Sequence, residues 1–296
     1  MNVKKLYAIT RFWLHRNDYI LCNKTMPTSK NVVNLHWWDS STEETWGDFK
    51  YNLGDNLSTI IVSYMLQRRG LSLETKVRNT AHLYAVGSIL QYGYQNATVW
   101  GSGILRNLYR RERLFQTYPL RRLDIRAVRG PLTKDYLVKL GHKCPEVYGD
   151  PAILMPLIYQ PTDNLHMKTD FVVIPHFSKN SFYVKEYGEE HIVSMITDDY
   201  KNVLDRIYNA RLVISGSLHG IILAETYGVP SVFLRDRAAD RDFKYSDYYQ
   251  STLRNNYIYA STVEDAMKID PMSLPSNLDD MRDGLIKTFP YDLWNS

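Results

Sequence analysis

The chain has 296 residues, 44% hydrophobic and 23% charged, with a net charge of +4. That length has room for two ordinary domains, and the composition is that of a soluble globular protein. The small net charge argues against a nucleic-acid footprint, and no apolar run approaches the roughly 20 residues needed to cross a bilayer. Two cysteines, Cys22 and Cys144, form neither a disulfide framework nor a metal-ligand spacing. A cytoplasmic protein with reduced thiols is expected, because residues 1–19 are too polar and interrupted for a signal peptide. The 23 tyrosines and 6 tryptophans suit core and interface packing first, and sugar stacking second.

In chain order, Leu6 to Leu14 reads as an amphipathic helix flanked by Lys4, Lys5 and Arg16 and carrying Arg11, Phe12 and Trp13. An ordinary surface helix is the simpler reading, and a peripheral contact with an anionic membrane is the alternative. Val32 to Trp38 reads as a strand. Asn52-Leu53-Gly54-Asp55-Asn56 reads as a turn cluster before a helix from Leu57 to Arg68. Strands follow at His82 to Val86, Ala97 to Trp100 and Ile125 to Val128. Arg129-Gly130-Pro131 opens a helix that ends near Gly141, with proline in its favoured early position. The short segment Glu146 to Tyr148 leads into Gly149-Asp150-Pro151, and Gln160 to Asn164 reads as a linker.

Beyond it, Phe171 to Ile174 is a strand ending at Pro175-His176. His191 to Ile196 reads as another strand, followed by a helix from about Asp199 to Ala210. Leu212 to Ile214 is then a buried strand broken by Ser215, Gly216 and Ser217. His219 leads a buried helix that Gly228 and Pro230 stop, and Ser231 to Leu234 is the next strand. Arg235 to Ser251 reads as a long charged and aromatic loop over a site, and the remainder as short helices and turns. Strand–helix alternation on both sides of the linker implies an α/β protein with two doubly wound, Rossmann-like domains facing a cleft, residues 1–160 and 161–296. The last helices are placed against the first domain.

Ligands in such sheets sit at the carboxyl ends of strands, where helix N-termini attract phosphate or carboxylate. His219 there is a candidate proton donor or acceptor. Gly216 and Ser217 offer N–H and hydroxyl groups to an anion, although Ser217 also suits a plain N-cap. Asp55 suits either an N-cap or a functional carboxylate. Arg129 can grip an anion or form an ion pair. His176 stands at another strand tip, and Lys244 and Arg241 lie in the late loop. No P-loop, dinucleotide fingerprint or H-E-x-x-H motif occurs, so chemistry without a metal is the simpler expectation.

Six segments in this order resemble the polysaccharide pyruvyl transferases. They are Asn52-Leu53-Gly54-Asp55-Asn56, Arg129-Gly130-Pro131, Gly149-Asp150-Pro151, Ile174-Pro175-His176, Ser217-Leu218-His219-Gly220, and Phe243 to Tyr249. The resemblance implies transfer of pyruvate from phosphoenolpyruvate to two hydroxyls of a sugar, giving a cyclic ketal. It also implies a fold similar to the two-domain GT-B glycosyltransferases, with no metal or redox cofactor. The acceptor is a sugar in surface-polysaccharide assembly, free or lipid-linked, with 4,6-substitution of galactose as the lean. The roles implied are His219 as proton donor and Asp55 as the carboxylate at the acceptor hydroxyl. Arg129, Ser217, Gly216, Leu218, His176, Lys244 and Asn56 are the substrate-binding set. Ser217 stands where the family has arginine, so Arg129, Lys244 or the helix N-terminus must hold the phosphate. A GT-B glycosyltransferase using a nucleotide sugar and a non-catalytic glycan-binding subunit are the alternatives.

Overall fold

The computed structural model describes residues 19–20, 26–27, 29–38, 52–91, 95–105, 121–235 and 242–295. The expected helix at Leu6 to Leu14, with its membrane contact, and Arg241 lie outside these. Tyr19–Ile20 and Met26–Pro27 form a short antiparallel ladder.

The first sheet is parallel, with strands in simple sequence order: β1 (Val33–His36), β2 (Ala81–Tyr84), β3 (Ala97–Trp100) and β4 (Leu123–Ala127). The second is also parallel, with β5 (Val172–Ile174), β6 (Val213–Ser215), β7 (Ser231–Leu234) and β8 (Tyr259–Ala260) side by side in that order. Most of their apolar residues are buried, as parallel strands covered by helices require.

Expectations for three segments are corrected. His191 to Ile196 is not a strand: it contributes one parallel bridge, Ile192 to Val173. The helix from the Asn52 cluster starts at Leu53, earlier than periodicity indicated, because Asn52 caps it and accepts from the Gly54 N–H at 3.2 Å. Phe243 to Ser251, read as loop, is a helix whose Tyr245, Tyr248 and Tyr249 are buried. Its aromatic run packs inward where sequence alone suggested a loop over a site.

The Ile192 bridge gives the second sheet a reversal of strand order. Val173 pairs with β6 on one side and Ile192 on the other. The chain therefore leaves β5 for the outer edge, then returns across it to form β6. That reversal is a topological switch point, and the crevice outside the carboxyl ends of β5 and β6 is the favoured ligand position. The second sheet is doubly wound in this sense. The first shows no reversal among the described residues.

The helices between strands are α1 (Leu53–Gln67), α2 (Pro131–Lys139), α3 (Asn180–Tyr187), α4 (Tyr200–Tyr208), α5 (Leu218–Thr226) and α6 (Phe243–Ser251), followed by α7 (Val263–Ala266) and α8 (Leu278–Thr288). One apolar cluster joins the two sheets through α1, α5 and the 3₁₀ turn Pro151–Leu157. That turn packs on α1, α5 and α8 together. The chain end returns to the first sheet: Trp100 Nε1 donates to the Leu285 carbonyl at 2.9 Å, and Tyr291 Oη to that of Met65 at 2.7 Å. Among the described residues, no helix is long and apolar enough to cross a membrane.

Candidate active site

The carboxyl ends of the two sheets meet where α1 and α5 begin. The Leu53 N–H at the start of α1 donates to the Met195 carbonyl at 2.8 Å, and Tyr245 Oη donates to the Gly216 carbonyl at 2.8 Å. Trp38 and Phe177 approach with ring centroids 5.5 Å apart.

His219, second residue of α5, lies over the first turn of α1. A Cβ on Gly54 would collide with its Nδ1, so only glycine admits the ring at this closeness. Nε2 points the other way, 3.7 Å from Oδ2 of Asp150. The His219 side chain keeps 14% of its surface exposed, and Asp150 none. Asp150 Oδ1 caps the following turn by accepting from the Ala152 N–H at 3.1 Å. Asp150 Oδ2 and His219 Nε2 are both buried without a hydrogen-bond partner among the described residues.

Asp55 stands on the first turn of α1. Asn52 takes the cap, so the Asp55 carboxylate instead accepts from Asn52 Nδ2 at 2.7 Å. Burial pushes the Asp55 carboxyl up to about 6; nearby His219 and Lys244 pull it down and Asp150 pushes it up further. A carboxyl poised there can exchange a proton near neutral pH. Lys244, on α6, thus joins the same electrostatic cluster, with its ammonium 4.9 Å from the Tyr245 ring centroid. Asn56 is half-buried on α1 beside Asp55.

Two expected anion contacts and one expected substrate-binding side chain are engaged elsewhere. Arg129 does not face the crevice. Its side chain is wholly buried and pairs with Asp247 of α6, which is equally buried, at 3.0 Å. Its other donors go to Ser88 Oγ and to the Ile104 carbonyl at 2.7 Å, and Gly103 has no Cβ where one would strike the guanidinium. The Gly216 N–H is engaged by the Ile174 carbonyl at 2.9 Å, so it is not offered to a ligand. The Leu218 side chain lies in the apolar core.

Ser217 caps α5 through backbone geometry, with no side-chain cap bond, so its hydroxyl is not engaged in capping. Its own N–H donates to Ser215 Oγ at 3.1 Å. His176, at the tip of β5, caps a one-turn helix by accepting from the Ser178 N–H at 3.3 Å. Among the described residues, no three His, Cys, Asp or Glu side chains gather in an arrangement able to hold a metal ion.

Sequence reasoning assigned no role to Asp150 or Ser88. Asp150 stood in a quoted motif, but its approach to His219 joins residues 69 positions apart. Ser88 followed a strand tip and gave no further signal.

The model of the polysaccharide pyruvyl transferase family matches residues 52–236, more than half of the chain. The chain belongs to that family. An uncharacterized protein of Acanthamoeba polyphaga mimivirus is 23% identical over 207 residues, 67% of this chain and 69% of that protein. A solved structure of an uncharacterized protein from Klebsiella pneumoniae subsp. pneumoniae covers 88% of this chain and 100% of its own, with 14% identity and a TM-score of 0.43.

Proposed function

We propose that this chain transfers pyruvate from phosphoenolpyruvate onto two hydroxyls of a sugar, forming a cyclic ketal in surface-polysaccharide assembly. The observation that carries the reading is the closeness of His219 to the first turn of α1, where Asp55 stands within its electrostatic reach, at the switch point of the second sheet. We divide the chain near residue 160. The first part, with Asp55, takes the acceptor, and the second, with His219 and the start of α5, takes the donor, in a cleft like that of GT-B enzymes.

The chemistry needs one group that gives a proton and one that takes it. His219 protonates the methylene carbon of the enol phosphate, making it a methyl group and leaving an oxocarbenium-like centre at C2. A sugar hydroxyl attacks that carbon as Asp55 takes its proton. The second hydroxyl then displaces phosphate, closing the ketal, and its proton leaves with the phosphate. Two hydroxyl protons are released and two are consumed, one in the methyl group and one in hydrogen phosphate, so no cofactor is called for. The start of α5, with N–H groups unpaired as at any helix N-terminus, and Lys244 supply positive potential for the donor anions. Ser217, standing where the family has arginine, adds a hydroxyl.

Mass spectrometry of hexose acceptors incubated with protein and phosphoenolpyruvate tests the reading. Galactose with free 4- and 6-hydroxyls is the first acceptor. A product heavier by one pyruvate ketal, with phosphate released, supports it. No such product across a panel of free and lipid-linked acceptors refutes it.

A further inference from the structure

His219 is held from two sides, and the two sides are chemically different. Nδ1 rests against the backbone of α1 at Gly54, beside Asp55. Nε2 is buried and faces Oδ2 of Asp150, itself buried and without a hydrogen bond among the described residues. Buried polar atoms are ordinarily paired, and two orphans facing one another are each other's natural partners. We propose that Asp150 is a positioning residue for His219: its Oδ2 accepts the Nε2–H of the imidazole, fixing that tautomer and leaving Nδ1 to exchange the proton with substrate. This rests on the reading of His219 as the proton donor.

The alternative tautomer is disfavoured on charge grounds. With the proton on Nδ1, the Nε2 lone pair would face a buried carboxylate oxygen, and acceptor would meet acceptor. With the proton on Nε2, the same atoms form a charge-assisted bond. The separation of 3.7 Å is longer than a hydrogen bond. Catalytic contacts of this kind are often long before substrate arrives and tighten when the ring becomes charged.

Asp150 is well anchored for the task. Its Oδ1 is fixed by the Ala152 N–H, and the turn it opens packs on α1, α5 and α8. The carboxylate is therefore carried by the element that joins both sheets to the final helix. Asp150 itself touches no substrate. The imidazolium gives up its Nδ1 proton and returns to the Nε2–H form.

The test is ¹⁵N NMR of the histidine rings in the full-length protein without substrate, with the His219 signals assigned by loss in His219→Ala. At a pH where the ring is neutral, wild-type His219 should be the Nε2–H tautomer. Asp150→Asn keeps the Oδ1 acceptor for the Ala152 N–H, so the turn is retained. In it His219 should shift toward the Nδ1–H form, as the amide NH₂ turns to donate to Nε2. The same variant should lose about 10- to 100-fold in kcat, the usual cost of removing a group that orients a functional histidine. Its KM for phosphoenolpyruvate should be unchanged. An Nδ1–H tautomer in the wild type, or the same tautomer in both proteins, overturns the proposal. Should Asp150→Asn fail to fold, the wild-type tautomer alone decides. The ring spectra do not depend on the donor or acceptor. A protein that makes no ketal but shows the expected tautomers loses the proposed function and keeps the Asp150 contact.

Discussion

Two clusters of buried charge lie at the carboxyl ends of the sheets, built on opposite plans. Around Arg129, every group is matched. The guanidinium bonds Asp247, Ser88 and Ile104, and Asp247 also accepts from the Thr133 N–H at 2.9 Å and the Thr133 hydroxyl at 2.7 Å. Around His219, partners are left over: Asp150 Oδ2 and His219 Nε2 stand unbonded among the described residues, and Asp55 is held near its protonation point. A closed network fixes α6 onto α2 and holds one arrangement. An open one keeps protons and hydrogen bonds for something that arrives later. Residue type alone does not separate the two, since each joins a cation or histidine to a buried aspartate. What separates them is how completely the neighbours answer the charge.

Substitutions can break this contrast. Arg129→Ala leaves the buried Asp247 without its counter-charge, which costs roughly 3–5 kcal/mol. Urea unfolding should show it as a lower midpoint. A stable variant whose only defect is weak phosphoenolpyruvate binding would place Arg129 in the ligand site instead. His219→Ala should cut turnover by roughly 10²- to 10⁴-fold, the usual worth of a positioned acid or base, with the unfolding midpoint unchanged. Near-normal turnover in that variant removes His219 from the chemistry.

Gly54→Ala sharpens the comparison further. Alanine favours a helix interior by about 1 kcal/mol over glycine, yet the new Cβ would push the His219 ring from its seat. Turnover should fall while α1 persists by circular dichroism; unchanged kinetics would mean the ring is not held there in solution.

The mildest effect concerns pH. Asp55 titrates at about 6, above the ordinary aspartate value of about 4, so turnover should decline as pH falls below about 6. Asp55→Asn should be slower and lose that acid limb. The folded protein binds this proton more tightly than the unfolded chain. The contribution of Asp55 to stability therefore becomes less favourable as pH rises from about 4 to about 6. The Asn variant should gain thermal midpoint on the wild type across that window. A limb that survives the substitution belongs to another group.

Much of this site was legible from local pattern. The strand at Val213–Ser215, the helix beginning at Leu218 and the strand at Ser231–Leu234 are marked by apolar runs and by stops at Gly228 and Pro230. His219 and Asp55 stood out because each follows a turn at the start of a helix. The errors have a common cause. Phe243–Ser251 carries so many charged and aromatic residues that its helix with buried tyrosines could not be told from a loop over a site. His191 to Ile196 has strand-like composition, yet a single bridge at the sheet edge is all it forms.

The sequence by itself determined the α/β class, most of the elements in their order and two side chains of the candidate site, because hydrophobic period and turn residues act over a few positions. Only the tertiary structure decided which charges are closed and which stay open. Arg129 meets Asp247 across 118 positions, and His219 is set between Gly54 and Asp150 by the packing of three separate segments. Local sequence carries no record of such pairings. They follow from how the two sheets and the Pro151–Leu157 turn bury a common core.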